Sequence, residues 1–291
     1  MKKFVSLLSL SFLVGLAACG TTEDNTTEED HTSGSEDTEE TETSWDEIQE
    51  SGKLVVGTSG TYSPITFHEN NELTGFDVEM AREIGDRLDL EVEFSTMDFD
   101  GILPALRNGQ IDVAANDFAI TEERQETFEL TEPYKFSYGS AVVRAEDRDR
   151  FDSAHDLEGV SVALGSLTSN YAMFAENIGA DGTAYDGGTE AILRDVINGN
   201  RDAYLNDWLV LERTLEEFGD DRLVVAEPVK YHSTETVMMM KKDNVALKEV
   251  LDEVILEMLE DGTVAELAEE FLSEDISQPV DEDEVVGLEG N

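Results

Sequence analysis

Residues 53–58 read KLVVGT, residues 75–88 GFDVEMAREIGDRL and residues 91–96 EVEFST. The first is a short apolar, β-branched run with the composition of a buried strand. In the second, Met80, Ile84 and Leu88 recur at helical spacing, and Val78 and Ala81 widen the same face. The third alternates, which is the period of a half-buried strand. Strand, helix and strand in succession are the mark of an α/β domain.

The pattern continues outward. A short helix is predicted over Gly101 to Asn108, with Asp100 as N-cap, Pro104 in its first turn and Gly109 as its stop. Ile111 to Asn116 (IDVAAN) is the next strand. A second unit begins after Tyr134. Ser140 to Arg144 leads into it, and Val160 to Leu164 (VSVAL) reads as a buried strand. A helix from Ser169 to Asn177 ends at Gly179. Another, capped by Thr189, carries Ile192, Leu193, Val196 and Ile197. Asp202 to Asn206 (DAYLN) and Arg222 to Ala226 (RLVVA) are further strands. The chain returns through Glu235 to Lys241, whose Met run reads as core strand. Two helices finish it, near Val245 to Glu260 and Val264 to Leu272, the last opened by a capping box of Thr263 and Glu266.

The ends read differently. Lys2 and Lys3 precede an apolar run from Phe4 to Leu16, then Ala17, Ala18 and Cys19, the only cysteine of the chain. That is signal-peptide architecture. The run is too short to span a hydrocarbon layer of about 30 Å. A cysteine at the cut resembles the lipobox of bacterial lipoproteins, which implies a lipidated Cys19, cleavage after residue 18 and attachment to the cell membrane. No cysteine then remains for a disulfide, a metal site or nucleophilic catalysis. Residues 19–44 follow as an acidic, low-complexity tether without Lys or Arg, expected to be disordered, and residues 278–291 form a similar acidic tail.

The chain carries 68 Asp and Glu against 19 Lys and Arg, a formal charge of −49. Nucleic acid is excluded as a partner, since phosphates demand a basic footprint. Electrostatic adhesion to anionic lipid is excluded for the same reason. Such a body repels itself at low salt, so a saline or alkaline exterior is the expected setting.

Enzyme readings find little support. The four histidines, His31, His68, His155 and His232, lie in separate segments without metal-site spacing. No Gly-rich phosphate loop follows a strand, and no Gly-x-Ser-x-Gly elbow occurs. No metal or cofactor is expected. What stands out is a scatter of polar and aromatic residues after the strands, where open α/β sheets bind ligands. Ser59, Gly60, Thr61 and Tyr62 follow the first strand. Asn116 to Thr121 (NDFAIT) follows another, with Arg124 one turn on. Thr168, Ser169 and Asn170 come after VSVAL, and Asp207 and Trp208 after DAYLN.

These blocks resemble the family 3 extracellular solute-binding proteins, the polar amino-acid receptors of ABC importers. The resemblance is carried by Gly75-Phe76-Asp77-Val78-Glu79-Met80 with Ile84, Gly85 and Leu88, and by residues 57–67 (GTSGTYSPITF). It continues through residues 99–106 (FDGILPAL) with Gly109, Ile111, Asp112 and Val113. Ile120 to Arg124 with Glu132-Pro133-Tyr134 follows, then Gly199, Asp202, Ala203 and Asp207, and finally Asp261-Gly262-Thr263. The resemblance implies two α/β lobes of the periplasmic-binding fold joined by a two-strand hinge. Lobe 1 would be residues 45–139 plus 233–277, and lobe 2 residues 140–232. The protein is expected to act as a monomeric receptor, not an enzyme, that closes on a free amino acid and delivers it to transporter permease subunits.

The resemblance also implies a site. Arg124 would fork onto the ligand carboxylate, helped by the Thr168 hydroxyl and by backbone donors near Ala119 and Ser169. Asp207, equally a candidate helix N-cap, would hold the ammonium. Tyr62, Phe99 and Phe118 would form side-chain walls, with Trp208 either wall or packing. Several positions depart from the family pattern. Asp117 stands where Ser, Gly or Ala is common, Ala119 where Ser or Thr is common, Leu167 where Gly is common and Ser59 where an acid is frequent. The run Asn116-x-Phe118-x-Ile120-Thr121 looks most like the cystine-binding branch. There Asp117 could meet a second ammonium, as cystine, arginine or lysine carries. Sensor modules and a few dehydratases of cyclic aromatic precursors share the fold and are the alternatives.

Overall fold

The computed structural model describes residues 44–185, 188–274, 276, 279–280 and 285–290. Cys19, the signal peptide and residues 20–43 of the tether lie outside them. In chain order the elements are α1 (Ser44–Ser51), β1 (Lys53–Thr58), β2 (Phe67–Glu69), β3 (Glu72–Thr74), α2 (Phe76–Leu88), β4 (Glu91–Thr96) and α3 (Phe99–Arg107). Next come β5 (Val113–Ala119), α4 (Glu122–Thr127), β6 (Phe128–Leu130), β7 (Lys135–Arg144), β8 (Ser161–Leu164), α5 (Asn170–Ile178) and β9 (Asp181–Ala184). The rest are α6 (Thr189–Ile197), β10 (Ala203–Asp207), α7 (Trp208–Phe218), β11 (Leu223–Val225), β12 (Tyr231–Lys241), α8 (Val245–Asp261) and α9 (Thr263–Phe271).

The mixed α/β elements form one continuous path of strands, β4-β1-β5-β12-β7-β10-β8-β9, with β6 beside β12 and β11 beside β7. β1 pairs in parallel with β4 and β5, and β8 in parallel with β9 and β10. These are the centres of two α/β lobes. β7 and β12 run antiparallel between them and belong to both. The lobe boundaries expected from the sequence, 139/140 and 232/233, fall within this pair, where Tyr231 faces Gly139 and the register then shifts at His232. Gly139 is required there, because a Cβ would meet the Tyr231 ring at 2.2 Å.

Each lobe buries apolar side chains on both faces of its sheet, as parallel sheets require. In lobe 1, Phe76, Met80 and Ile84 of α2 point one way, at i, i+4 and i+8, and all three are fully buried with α8 and α9. Ile102 and Leu106 of α3 cover the other face with Met239. Met238 and Met240 join the first core, so the Met run is packing on both sides. Fully burying one such side chain stabilises by about 1.5–3 kcal/mol. In lobe 2, Phe174 of α5 packs one face and Ile192, Leu193 and Val196 of α6 the other. Gly75 holds α2 at its start: its φ is +123°, and a Cβ would lie 2.4 Å from the Ile65 carbonyl oxygen.

Several local expectations give way. α3 begins at Phe99 with Asp98 at the N-cap position, so Asp100 sits in the first turn, free for other work. α9 starts from Gly262 in the left-handed region. Thr263 instead donates its hydroxyl to Asp261 (2.6 Å) rather than building a capping box. Gly188, not Thr189, precedes α6. The acidic tail is only partly a tail. Residues 285–290 dock on lobe 2, where Val286 and Leu288 join its apolar cluster. Val286 accepts from His232 N–H (2.8 Å) and donates to the Lys230 carbonyl (3.1 Å). Acidity obscured two apolar residues with an edge to pair against.

Candidate functional site

A cleft of about 610 Å³ opens between the lobes. Its lobe 1 wall is built by β5, and β5 is irregular where it matters. Between Phe118, opposite Val237, and Ala114, opposite Met239, the pairing with β12 shifts. Asp117 there has a φ of +56°. A bulge of this kind re-aims side chains, and Asn116 and Asp117 both line the cleft. The Asn116 Oδ1 accepts from Ser59 N–H (2.7 Å) and Thr58 Oγ1 (3.2 Å), which fixes the loop after β1. From that loop Ser59 and Tyr62 line the cleft, and Phe99 lines it from α3. Lobe 2 supplies Ser166, Ser169, Tyr171, Tyr204 and Asn206 among others. Asp98, Asp100 and Asp117 are lining residues, and none of the lining residues is Lys, Arg or His.

The lobes touch across this cleft. Asp100 Oδ1 accepts from the hydroxyls of Ser166 (2.5 Å) and Thr168 (2.7 Å). The Tyr62 hydroxyl donates to Asn206 Oδ1 (2.7 Å). Ser169 caps α5, accepting from Ala172 N–H (3.1 Å) while donating to the Ser166 carbonyl (3.0 Å). Thr168 is therefore held by Asp100, and Leu167 beside it is 64% exposed.

Arg124 is buried on α4 and is not among the residues that line the cleft. Thr121 caps α4 by accepting from Arg124 N–H (3.3 Å). The guanidinium sits 5.2 Å from the centroid of Phe118, and Phe118 stacks on Phe99 at 5.2 Å. Nη1 donates to the Ala119 carbonyl (2.7 Å). Among the described residues no carboxylate comes within ion-pair distance of this buried guanidinium. Burial pulls its pKa down to about 10 against small opposing effects from Tyr171, Glu123 and Asp117. Burial, and then the Arg124 charge, likewise keep His232 low, at about 4. Phe118 and Ala119 are buried and do not line the cleft.

Asp207 is fully buried as the last residue of β10 and the N-cap of α7. Its Oδ1 accepts from Leu209 N–H (2.9 Å) and Val210 N–H (3.3 Å), and its Oδ2 is 2.9 Å from Lys135 Nζ. Lys135 is fully buried too, and its Nζ is 3.0 Å from Asp117 Oδ1. Burial disfavours its ammonium, but the two carboxylates outweigh that and hold its pKa above the ordinary value. Thr236 Oγ1 also donates to Asp117 Oδ1 (2.8 Å). Asp77 stands behind, accepting from Asp117 N–H (2.6 Å) and the Tyr134 hydroxyl (2.9 Å). Burial first, and the Asp117 charge second, push Asp77 up to about 7. Trp208 stacks on Tyr138 at 5.3 Å and does not line the cleft.

The fold thus gathers Ser59, Tyr62, Phe99, Asn116, Asp117 and Ser169 on one cleft. Arg124, Phe118 and Ala119 are buried and do not line it, Thr168 is on the interlobe contact, and Asp207 is in the buried cluster. Sequence reading missed Lys135, Tyr204, Asn206 and the role of Asp100. Strand alternation was the available signal: Tyr204 and Asn206 share a face of β10, and Lys135 shares one with Ser137 and Gly139.

Known proteins agree with this architecture. The model of bacterial extracellular solute-binding proteins, family 3, matches residues 54–274. The probable ABC transporter extracellular-binding protein YckB of Bacillus subtilis (strain 168) is 36% identical over 288 residues, covering 97% of this chain and 96% of that one. The L-cystine-binding protein TcyA of the same organism is 30% identical over 283 residues, 95% and 99% of the two chains. The crystal structure of YckB from Bacillus subtilis superposes with a TM-score of 0.69 at 39% identity, covering 84% of this chain and 98% of that one. That of an ancestral amino acid-binding protein, AncCDT-1, a precursor of cyclohexadienyl dehydratase, gives a TM-score of 0.71 at 27% identity, over 79% and 100% of the two chains. The two lobes, the hinge pair and the cleft are those of the periplasmic-binding fold, and the family and the named relatives YckB and TcyA are binding proteins, not enzymes. From residue 54 to residue 274 this chain belongs to the bacterial extracellular solute-binding proteins, family 3.

Proposed function

We infer that the protein captures a free amino acid with a second positive charge, of the cystine, arginine or lysine kind, and delivers it to an ABC importer. The observation that carries this is Arg124. A buried guanidinium without a carboxylate is costly, and a ligand carboxylate would remove that cost with a bidentate pair. The other pole would be received by the Asp117–Asp207 cluster, with Asp117 facing the cleft, and Asp98 and Asp100 favour a cation on the ligand's far end. The Tyr62 and Phe99 rings would cover its stem. The contacts of Asp100 with Ser166 and Thr168 would favour the closed form, and the ligand would favour it further by touching both lobes. Names of relatives point the same way, since TcyA is a cystine-binding protein.

Calorimetric titration with the twenty amino acids and cystine tests the reading. Tight binding of a dibasic ligand or cystine is expected. Failure of all of them to bind, or tight binding of a neutral aliphatic alone, would overturn it. Anchoring through a lipid on Cys19 belongs to the same proposal. Palmitate labelling that is lost in Cys19→Ser would support it, and labelling that persists would refute it.

A further inference from the structure

We propose that Lys135 is a specificity-determining residue: by occupying Asp207, it hands the task of receiving the ligand ammonium to Asp117. This rests on the amino-acid reading above and deepens it. The oxygens of the cluster can be followed one by one. Asp207 Oδ1 holds two N–H groups of α7, and its Oδ2 holds Lys135. Asp117 Oδ1 holds Lys135 and the Thr236 hydroxyl. Among the described residues Asp117 Oδ2 has only the Tyr62 hydroxyl, at 3.5 Å, and that hydroxyl already donates to Asn206 at 2.7 Å. One carboxylate oxygen is therefore under-used, and it belongs to a residue that lines the cleft. Asp207 and Lys135 do not line it.

The charge tells the same story. Two carboxylates and one ammonium leave the trio at −1, enough to receive one cation. The trio also spans the molecule. Asp117 lies on β5 of lobe 1, Asp207 on β10 of lobe 2, and Lys135 at the start of the shared strand β7. An internal ammonium thus stands where a ligand could otherwise have reached Asp207. Without Lys135 the lobe 2 carboxylate would be the free one.

The experiment is a rescue. Calorimetry would use arginine, lysine and cystine as probes on wild-type protein, Asp117→Asn, Asp207→Asn and the pair Asp117→Asn with Lys135→Met. Asp117→Asn leaves the trio neutral and is expected to weaken the best probe by at least about tenfold, and by more than Asp207→Asn does. Adding Lys135→Met returns the charge to −1 on a freed Asp207, and at least about fivefold of the loss should come back. A lysine that is only structural would give no such recovery. Folding of each variant is checked by its melting transition, and the comparison of the two Asp→Asn variants decides the matter if the pair does not fold. A folded pair that binds no better than Asp117→Asn alone, or a greater loss in Asp207→Asn, would overturn the proposal while leaving amino-acid binding intact. Wild-type protein that binds none of the probes would overturn both.

Discussion

Two buried cations, Lys135 at the start of β7 and Arg124 on α4, live under opposite conditions. Lys135 has two carboxylates within 3.0 Å and is held protonated by them. Arg124 has a carbonyl and an aromatic face, and burial pulls its pKa down. The partnered cation is part of the frame. The other has no carboxylate beside it among the described residues. A charge already satisfied inside a protein adds rigidity, and one left unsatisfied marks a site.

The contrast breaks first under substitution of the frame. Lys135→Ala leaves two buried carboxylates facing each other, and a loss of about 3–5 kcal/mol in unfolding free energy is expected. Denaturant unfolding at neutral pH measures it, and a loss below about 1 kcal/mol would mean the trio is solvated after all. Arg124→Ala should do the reverse. Stability should hold or rise, since a desolvated charge is removed, while the dissociation constant rises at least about tenfold, or 1.4 kcal/mol. Titration beside thermal melting of the same sample separates the two effects.

Asp77 sharpens the frame side. Its folded pKa of about 7 lies above the unfolded value, so the native state holds a proton that the unfolded state releases. The stability this contributes is full below about pH 4 and is lost as pH rises through about 7. Asp77→Asn should flatten the fall in unfolding free energy between about pH 4 and about pH 7, and an unchanged slope would assign the dependence elsewhere. Asp100→Ala should give the smallest effect. It removes two partly exposed hydrogen bonds between the lobes, each worth about 0.5 kcal/mol. The radius of gyration of the ligand-free protein should increase in solution scattering, with only a few-fold loss of affinity.

Much of the frame was legible beforehand, and for identifiable reasons. The buried strands of β1 and β8 announced themselves as apolar runs, and α2 by the spacing of Met80 and Ile84. The cleft residues Ser59 and Tyr62 follow β1, where ligand sites form, whereas Asn116 and Asp117, expected after a strand, lie inside β5 at its irregularity. Lys135 was legible only as a strand position alternating with Ser137 and Gly139, not as a buried, paired cation. A lone lysine in an acidic chain reads as surface, and only the three-dimensional meeting of β5, β7 and β10 shows it paired. Asp207 illustrates the opposite difficulty. One residue type serves as an ammonium ligand and as an N-cap, and sequence cannot say how many of its oxygens remain free. The docking of residues 285–290 depended on an edge of lobe 2 that exists only after folding.

The central claim is that the Arg124 guanidinium is reserved for a ligand carboxylate. Calorimetry with the tightest-binding of arginine, lysine and cystine, set against the same molecule with its carboxylates converted to amides, addresses it most directly. Wild-type protein should prefer the acid by at least about tenfold, and Arg124→Ala should lose that preference entirely. Equal binding of acid and amide by the wild type, or a preference that survives in Arg124→Ala, would contradict the account.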